Sequence, residues 1–490
     1  MVAWLGASRD IGVLGDAEGV QVTGVSLSSQ RIRPGDLYAA LPGARAHGIA
    51  FAAGAVEAGA VAVLTDADGA AAGAVDVPVL VVDRPRAVLG SLAAQVYGRP
   101  AESMRMIGVT GTQGKTTTTR LLEGGLTASG ETAAVIGTVG TRVAGADVKT
   151  VLTTPEAPDL HGLFAMMRER GVTTCAMEVS SHALVMGRVD GVVFDVAVFL
   201  NLGRDHLDFH SGVEDYFRAK ASLFTPERAR LGLVNVDDEH GRRLVAEAGV
   251  PVRTFSTAGE ADWTVDDVHL GPEGSTFVVV APDGRRLPAA CPLPGDFNVA
   301  NTLAAVAAAG EAGLDAGVVA AGIAAAGGVP GRLERVDAGQ DFLVVVDYAH
   351  KPDAVEAAIR TLRPLTDGRV IVVLGAGGDR DPGKRPIMAE IAARLADVLV
   401  VTDDNPRTED PAAIRAAMLG GVDPGHPGEG AEVLEIGDRR AAIRGAVRRA
   451  RPGDIVLVAG KGHETGQEIN GVVHPFDDRE VAREELACLP

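Results

Sequence analysis

The sequence predicts an α/β protein of about three domains, and three observations support this. The chain has 490 residues, which is far more than a single hydrophobic core usually organises. Aromatic residues make up only 4% of it while glycine occurs 62 times, a composition that suits closely packed α/β layers. Short apolar runs also alternate with helical patterns over most of the length, which is the rhythm of parallel sheets.

The elements fall into three stretches. From about 20 to 82 the strand-like runs VQVTGVSL, AVAVLT and VPVLVV surround a short helical pattern at 50–57, and VYGRPAESMR forms a boundary. A second stretch opens with MIGVTG and runs to about 329. The third contains FLVVVDYAH, RVIVVLGAGG, DVLVVTDDNP and DIVLVAGKGHE, apolar runs that each end in a polar or glycine-rich turn. Because ligands bind at the carboxyl ends of parallel strands, every one of these turns is a candidate site.

Charge and composition exclude several classes of protein. A net charge of −19 repels a phosphate backbone, so we expect no nucleic-acid partner. Cys175, Cys291 and Cys488 are widely spaced without metal or redox spacing, which favours a reducing cytoplasm. The first residues, MVAWLGASRD, lack the pattern of a signal peptide, and no long apolar run is present. We therefore expect a cytoplasmic protein with no membrane association.

A glycine-rich loop predicts a nucleotide site. The strand MIGVTG leads into Gly111, Thr112, Gln113, Gly114, Lys115, Thr116 and Thr117 and then into a helical pattern. In such loops the backbone N–H groups and the helix N-terminus cradle phosphates, the lysine reaches the terminal phosphates and a hydroxyl binds Mg²⁺. Val109 replaces one glycine of the strict pattern, so the loop is a shortened GxxGKT. The sequence thus predicts an enzyme that uses ATP.

Acidic and imidazole groups follow the next apolar runs. Glu178 ends one strand, and Asp205, His206, Asp208 and His210 follow another, so we expect them near the loop as Mg²⁺ ligands. Two alternatives remain for HLDFH, a two-histidine zinc site and a purely structural polar turn. Lys220, in DYFRAKASLF, has the spacing of a solvated helix residue and no local sign of function.

The turns of the third stretch carry further candidates. Asp347 and His350 are candidates for ribose or Mg²⁺, Lys351 for the γ-phosphate, and Arg332 lies at the boundary; a helix N-cap with its turn is the alternative. Two later turns combine guanidinium groups with acid and amide oxygens, as a zwitterion requires: Arg380, Lys384, Arg385, Asp404, Asn405 and Arg407. The turn Gly460–Glu464 is a further candidate, for which a structural role is equally compatible.

Seven motifs together resemble the Mur ligases of peptidoglycan synthesis: GTQGKTT, MEVSSHAL, NLGRDHLDFH, DYAHKPDA, GGDRDPGKRP, DNPR and GKGHE, in the order of that family. The resemblance is greatest to the members that add diaminopimelate. It implies a UDP-binding domain at 1–98, a central ATP-binding domain at 99–330 and a Rossmann-like domain for the amino acid at 331–490. It also implies ATP and Mg²⁺ as cofactors and an acyl phosphate formed on UDP-N-acetylmuramoyl-L-alanyl-D-glutamate, with no nucleophile from the protein.

The resemblance assigns roles by motif. It implies that Lys115, Glu178, His206 and a carbamylated Lys220 are catalytic, and that Thr116, Glu178, His206 and Lys220 hold the metal. The uridine and muramoyl-dipeptide contacts are Leu27, Ser29, Ala44, Arg45, Ala46, Thr153, Thr154, Ser180 and Arg188. Asn301 and Arg332 hold the adenosine. The diaminopimelate contacts are Arg380, Asp404, Asn405, Pro406, Arg407, Gly460 and Glu464.

The motif DNPR is the form that the family associates with meso-diaminopimelate, since Arg407 offers a bidentate partner to its second carboxylate. L-lysine would leave that guanidinium unpaired, at a cost of about 1–3 kcal/mol. The alternatives are an L-lysine-adding relative, a ligase like folylpolyglutamate synthase, which lacks the uridine-binding domain and DNPR, and a regulatory P-loop ATPase. We expect a monomer that acts on small molecules.

Overall fold

The computed structural model describes residues 12–73, 75–203, 205–206, 209–422 and 431–489. The chain divides into two compact units. The first unit comprises Met1–Val265, Val279–Leu287 and Leu303–Gly322, and the second comprises Asp266–Val278, Pro288–Thr302 and Ile323–Pro490. The boundaries at 98 and 330 inferred from the sequence remain predictions.

The first unit begins with a five-stranded sheet. Its strands are β1 (Gly12–Leu14), β2 (Gly24–Ser26), β3 (Asp36–Ala39), β4 (Ala62–Thr65) and β5 (Val79–Val81), in the order β1-β5-β4-β3-β2. Only β1 pairs antiparallel. The helices are α1 (Ala52–Glu57), α2 (Ala67–Ala72) and α3 (Pro85–Val96), with 3-10 turns at Ser29–Arg31, Gly48–Phe51 and Pro100–Ser103. Leu37, Leu64 and Leu92 are fully buried in the apolar core.

An eight-stranded sheet follows in the first unit. Its strands are β6 (Arg105–Thr110), β7 (Ala133–Ile136), β8 (Thr141–Val143), β9 (Ala146–Val148), β10 (Thr174–Glu178), β11 (Phe194–Phe199), β12 (Ala229–Asn235) and β13 (Val252–Phe255). The order is β13-β12-β11-β6-β10-β7-β8-β9, parallel from β13 to β7 and antiparallel beyond. The helices are α4 (Lys115–Ala128), α5 (Ala157–Glu169), α6 (Ser181–Val185), α7 (Val213–Ala221) and α8 (Glu239–Glu247).

A smaller sheet and two helices come next in the chain. Strands β14 (Thr264–Gly271), β15 (Gly274–Val280) and β16 (Arg286–Cys291) form the sheet in that order, and α9 (Asp296–Glu311) and α10 (Ala316–Ala325) follow it. Both helices are rich in alanine, which has the highest helix propensity and packs at close range.

The second unit contains a six-stranded sheet. Its strands are β17 (Glu334–Arg335), β18 (Leu343–Asp347), β19 (Val370–Ala376), β20 (Val398–Asp403), β21 (Glu432–Glu435) and β22 (Ile455–Ala459), in the order β17-β18-β22-β19-β20-β21. The sheet is parallel except for β17, which pairs antiparallel with β18. The helices are α11 (Pro352–Leu362), α12 (Lys384–Leu395), α13 (Pro411–Leu419), α14 (Arg439–Arg449) and α15 (Asp478–Ala487), with a 3-10 turn at Arg363–Leu365. A hairpin of β23 (Gly466–Ile469) and β24 (Val472–Pro475) precedes α15.

Burial explains why the central strand β19 reads VIVVLGA without alternation. All its residues are buried, and its side chains alternate between two separate apolar cores, as in parallel sheets covered by helices on both faces. The predicted α/β class with mainly parallel sheets is confirmed. In the part of the chain that the structure describes, no helix combines the length and the apolar character needed to cross a membrane.

Candidate active site

The loop predicted to bind phosphates joins β6 to α4. Gly114 has φ +85°, a left-handed conformation that favours glycine, and α4 begins at the next residue. Lys115 Nζ donates to the carbonyls of Gly111 at 2.8 Å and Thr112 at 3.0 Å. The Asn201 Oδ1 atom accepts from the backbone N–H groups of Thr112 at 3.1 Å and Gln113 at 2.9 Å. The loop is therefore held in shape from the neighbouring strand end, by a residue that sequence reasoning did not single out.

Glu178 lies beside this loop because of strand register. Strand β10 is parallel to β6 and pairs Glu178 with Val109, two residues before the loop. Glu178 is 1% exposed. Its Oε1 accepts from Thr116 Oγ1 at 2.9 Å and from Thr138 N at 2.8 Å, and its Oε2 accepts from Thr138 Oγ1 at 3.2 Å. A buried charge needs such donors. The arrangement gathers a carboxylate and a hydroxyl at the start of α4.

Lys220 lies against the same loop. It is 1% exposed on α7, and its Nζ donates to Gly111 O at 2.8 Å and lies 4.5 Å from the centre of the Tyr216 ring. Tyr216 OH in turn shares a hydrogen bond of 3.1 Å with Thr112 Oγ1. Burial, and then the charge of Lys115, hold the pKa of Lys220 well below its usual value. The local interpretation of Lys220 as a solvated helix residue is wrong, because α7 packs this face onto the P-loop.

The histidine segment after β11 is partly described, and Asp208 lies outside the described residues. His206 has φ +54°, its Nε2 lies 3.4 Å from Asp205 Oδ2, and its ring is 4.8 Å from that of His182. His210 is buried, and its Nε2 lies 2.9 Å from Ser181 Oγ. Within the described ranges no group of three or more His, Cys, Asp or Glu side chains is arranged to hold a metal ion, so nothing there supports the zinc alternative.

The donor set nevertheless suits a hard cation. Mg²⁺ prefers oxygen ligands, and the Thr116 hydroxyl and Glu178 carboxylate are in direct contact at 2.9 Å. The amine of Lys220 is not such a ligand as it stands, since it donates to a carbonyl. The oxygen ligands thus fit Mg²⁺, and Lys220 fits only after conversion to an anion.

The residues expected to hold the muramoyl dipeptide connect to Glu178. Thr154 Oγ1 donates to the backbone carbonyl of Glu178 at 2.8 Å and accepts from Ser180 N at 3.3 Å. Arg188 Nη1 donates to the carbonyl of Thr154 at 3.4 Å. Thr153 precedes Thr154 in the same loop and is partly exposed. Thr154 therefore contacts the predicted metal ligand directly, and Ser180 and Arg188 are linked to it through Thr154.

The expected uridine contacts lie around the first sheet. Leu27 is half-buried against its apolar core, and Ser29 begins a 3-10 turn. Ala44, Arg45 and Ala46 lie in an exposed loop between β3 and the 3-10 turn at Gly48–Phe51. These positions are accessible to a ligand.

In the second unit Asp347 ends β18. Its Oδ2 accepts from Leu333 N at 2.8 Å, and burial raises its pKa. The Arg332 guanidinium lies 4.9 Å from the centre of the Tyr348 ring, a distance at which cations interact with aromatic faces. Asn301, on α9, donates from Nδ2 to Asn298 Oδ1 at 3.1 Å.

His350 and Lys351 form the turn that leads into α11. His350 Nδ1 lies 2.7 Å from the carbonyl of Tyr348, and burial lowers the pKa of His350 to about 4. Lys351 occupies the N-cap position, but its side chain makes no capping hydrogen bond. Lys384 Nζ donates to His350 O at 2.9 Å. The turn does provide the N-cap of α11, as the structural alternative predicted, but the Lys351 side chain takes no part in the capping.

The carboxyl ends of three strands gather the predicted amino-acid residues. Register pairs Ala376 of β19 with Asp403 of β20, and Leu374 with Ala459 of β22. The turns that follow these strands therefore meet at one edge of the sheet. They carry Arg380, Asp404, Asn405, Pro406, Arg407, Gly460 and Glu464.

A buried lysine that sequence reasoning did not select organises two of these turns. Lys461 Nζ donates to Asn405 Oδ1 at 3.1 Å and to Glu464 Oε2 at 3.2 Å, and lies 4.0 Å from Asp404 Oδ1. Asn405 Nδ2 donates to the same Glu464 oxygen at 2.8 Å. Gly460 has φ +119°, and a Cβ there would lie 2.4 Å from Asp404 Oδ2. Only glycine therefore allows this approach.

Arg407 is held by its own turn and by the hairpin. Its Nη1 donates to Gly378 O at 2.6 Å, and its Nε lies 3.4 Å from Glu468 Oε2. Its backbone N donates to Glu468 O at 3.0 Å. Arg380 is exposed, and Pro406 is buried. None of the sequence motifs includes Glu468, because this residue lies four positions beyond the end of GKGHE.

Comparison with known proteins identifies three matching family models. The Mur ligase family catalytic domain matches residues 21–97, the Mur ligase middle domain 109–309, and the Mur ligase glutamate ligase domain 331–462. Two curated relatives are named UDP-N-acetylmuramoyl-L-alanyl-D-glutamate--2,6-diaminopimelate ligase. The one from Streptomyces avermitilis is 60% identical, covering 95% of this chain and 92% of its own. The one from Corynebacterium glutamicum is 51% identical, covering 97% and 94%.

A solved structure described by the same name is also similar. It is 35% identical in sequence, with a TM-score of 0.69, and the match covers 95% of each chain. The similarity therefore extends over both compact units.

Proposed function

The chain belongs to the Mur ligase family, and on that basis we propose that it joins meso-2,6-diaminopimelate to UDP-N-acetylmuramoyl-L-alanyl-D-glutamate at the expense of ATP. The observation that carries this is the 60% identity to a relative of that name over 95% of the chain. The protein is an ATP-dependent, amide-bond-forming ligase of peptidoglycan precursor synthesis.

The reaction needs no nucleophile from the protein. The D-glutamate carboxylate takes the γ-phosphoryl group of ATP, releasing ADP and forming an acyl phosphate. The amine of diaminopimelate attacks the acyl carbon, the tetrahedral intermediate loses inorganic phosphate, and the amide remains. Catalysis is therefore positioning together with neutralisation of phosphate charge. Lys115 and the N-terminus of α4 supply that charge complementarity beside Glu178.

Thr116, Glu178, His206 and a modified Lys220 would hold Mg²⁺. The ion supplies neutralisation of the phosphate charge that develops during transfer. The contact between the Thr116 hydroxyl and the Glu178 carboxylate supports this assignment.

The modification is carbamylation of Lys220, in which the neutral amine adds to CO₂ and loses a proton. Its surroundings support this, since the amine is buried and its pKa is lowered. The product is a carbamate, an anion with two oxygens. It therefore suits Mg²⁺ better than the lysine amine does, because Mg²⁺ prefers oxygen ligands.

The remaining nucleotide and substrate contacts follow the family motifs. Asn301 and Arg332 hold the adenosine, and Asp347, His350 and Lys351 complete the ATP contacts. Exposure of the loop at Ala44, Arg45 and Ala46 supports a uridine contact, together with Leu27 and Ser29. Thr153, Thr154, Ser180 and Arg188 hold the dipeptide, and their hydrogen bonds around Glu178 support this.

The amino acid binds to Arg380, Asp404, Asn405, Pro406, Arg407, Gly460 and Glu464. The convergence of these turns at one sheet edge supports this pocket. Arg407 selects diaminopimelate over L-lysine by pairing with its second carboxylate. The protein acts as a cytoplasmic monomer on small molecules, without nucleic-acid or membrane partners.

Steady-state release of ADP tests the proposal. Purified protein receives ATP and Mg²⁺, then UDP-N-acetylmuramoyl-L-alanyl-D-glutamate, and then diaminopimelate, L-lysine or glutamate. We expect rapid ADP release only with the nucleotide dipeptide and diaminopimelate together. Release that ignores the dipeptide would favour a regulatory ATPase. In a separate assay without the dipeptide, release that requires both a folate and glutamate would favour a folylpolyglutamate synthase. A higher kcat/KM for L-lysine than for diaminopimelate would overturn the proposed selectivity of Arg407 and leave the ligase function standing.

A further inference from the structure

The proposed metal ligands outside the P-loop come from three separate segments of the first unit. Glu178 ends β10, His206 lies in the turn after β11, and Lys220 lies on α7. Strands β10 and β11 are not neighbours, because β6 lies between them, and two strand spacings amount to about 10 Å. A metal ion held by all three segments therefore requires contacts that keep them at a fixed separation.

A buried hydrogen bond joins the first two segments. His210 Nε2 lies 2.9 Å from Ser181 Oγ, and the two residues are 3% and 1% exposed. Ser181 begins α6, shortly after Glu178 in the chain. The backbone N of His210 donates to His206 O at 2.9 Å. The side chain and the backbone of His210 thus connect the turn after Glu178 to the turn that carries His206.

The backbone of His206 depends on such support. Its φ of +54° is a left-handed conformation, which a residue with a side chain adopts at a cost. A conformation of this kind persists only where the surroundings fix it. The hydrogen bond from His210 N, whose own ring is anchored to Ser181, is such a constraint.

Two further contacts fix the ring of His210. Asp215 Oδ2 lies 3.5 Å from His210 Nδ1 and accepts from Ser211 N at 3.1 Å. The centre of the Tyr216 ring lies 5.0 Å from the centre of the His210 ring and 4.5 Å from Lys220 Nζ. The His210 ring therefore packs against the part of α7 from which Lys220 reaches the P-loop.

His210 is placed to support the metal ligands without being one of them. One of its ring nitrogens faces the Ser181 hydroxyl, the other lies near the Asp215 carboxylate, and the ring is almost wholly buried. In metal sites, hydrogen-bonding partners behind the ligands fix ligand orientation, and removal of one of them lowers metal affinity by about 10- to 100-fold.

We propose that His210 is a positioning residue that holds together the three segments supplying the proposed metal ligands. Its contacts are the Ser181 hydroxyl at the first segment, its own backbone N–H at the second and the Tyr216 ring at the third. The inference rests on the proposed ligase function and its metal site, and adds a residue that acts without touching the ion.

Binding of Mn²⁺ in place of Mg²⁺, measured by electron paramagnetic resonance with ADP present, tests this without turnover. Ser181→Ala removes the hydroxyl and should raise the Kd of Mn²⁺ about tenfold, while the KM for diaminopimelate in the ADP-release assay stays unchanged. Ser181→Thr keeps a hydroxyl and should retain part of the affinity. Ser129→Ala, which removes a hydroxyl that donates to Leu126 O at 2.8 Å at the end of α4, is the matched control and should leave the Kd unchanged.

A double variant tests whether the two residues act as one unit. His210→Phe keeps an aromatic ring and removes both ring nitrogens. If Ser181 acts through His210, adding Ser181→Ala to His210→Phe should raise the Kd of Mn²⁺ no further. Independent increases that add in the double variant would contradict the inference.

Two other outcomes would overturn the proposal. Loss of Mn²⁺ binding in His210→Phe together with normal binding in Ser181→Ala would mean that His210 is itself a ligand. An unchanged Kd in both variants, with only the free energy of unfolding lowered, would mean that the hydrogen bond serves the fold alone. If the unmodified protein with ADP binds no Mn²⁺, the proposed metal site itself fails, which is a distinguishable result.

Discussion

Thr116 donates its hydroxyl hydrogen to Glu178 Oε1 over 2.9 Å, which joins the first turn of the P-loop helix to the end of the neighbouring strand. If both oxygens hold Mg²⁺, Thr116→Ala should lower kcat/KM by about 10- to 100-fold and shift the Mg²⁺ requirement to higher concentration. Titration of Mg²⁺ in the ADP-release assay measures this. Thr127→Ala removes an exposed hydroxyl on the same helix that donates to Glu123 O, and should behave as the unmodified protein. An unchanged Mg²⁺ titration for Thr116→Ala would argue against the metal site.

Lys220 provides the second prediction. Lys220→Ala should lower kcat by about 100- to 1,000-fold, the scale of losing one fixed electrostatic partner, because no carbamate can form. Acetate or formate should restore part of the activity by occupying the vacated space as an anion.

Lys220→Arg is the matched control, since it keeps a positive charge and cannot be carbamylated. It should be inactive with or without the acid. Full activity of Lys220→Arg would rule out the carbamate. Failure of the acid to rescue a folded Lys220→Ala protein, judged by circular dichroism, would count against it as well.

The P-loop and Glu178 were predictable because local pattern determines them. A glycine-rich turn after an apolar strand and before a helix has few interpretations, and parallel strands bring their carboxyl ends to one edge. Lys220 was not predictable from its surroundings. Its partner, Gly111 O, is 109 residues away in the chain, so only the packing of α7 reveals the contact.

The amino-acid pocket shows the same division. Its turns were recognisable as Arg, Asp and Asn clusters after buried strands. Lys461 was not singled out within GKGHE, since a lysine is usually exposed and its burial depends on Asn405 and Glu464 from two different turns. Glu468 depends on a hairpin whose pairing with Arg407 no short motif indicates.

His161 provides a prediction about pH. It is fully buried on α5, with Nε2 3.0 Å from Asp190 O, and burial lowers its pKa to about 4 from an ordinary 6.5. Between pH 6.5 and pH 4 the His161 side chain binds a proton in the unfolded chain but not in the folded chain. The free energy of unfolding therefore falls as the pH decreases from 6.5 towards 4. Each unit of pKa difference corresponds to about 1.4 kcal/mol, so the contribution reaches about 3 kcal/mol.

Urea unfolding at pH 7.5 and pH 5 measures this effect. His161→Gln, which cannot be protonated, should lose less stability on acidification than the unmodified protein. His269→Gln replaces an exposed histidine and should leave the pH dependence as it is. The same acid-induced loss in His161→Gln would show that other groups cause it.

The buried ion pair beneath the amino-acid turns provides the last prediction. Arg439 and Asp478 are fully buried, with Arg439 Nη2 2.6 Å from Asp478 Oδ2. Arg439 also donates to the carbonyls of Asp403 at 3.3 Å and Ala459 at 3.0 Å, each one residue before a turn of the pocket. Asp478→Asn leaves the guanidinium charge uncompensated inside the unit, and should lower the free energy of unfolding by about 3–5 kcal/mol.

The neighbouring pair Arg440 and Glu484 is the matched control, because it joins the same two helices at the surface with a distance of 2.6 Å. Glu484→Gln should cost about 1 kcal/mol or less. Since Arg439 supports the turns without facing the ligand, Asp478→Asn should also raise the KM for diaminopimelate more than it lowers kcat. Equal losses of unfolding free energy for the two variants would mean that burial does not set the strength of the Arg439–Asp478 ion pair. An unchanged KM for diaminopimelate in Asp478→Asn would mean that this ion pair does not support the amino-acid pocket.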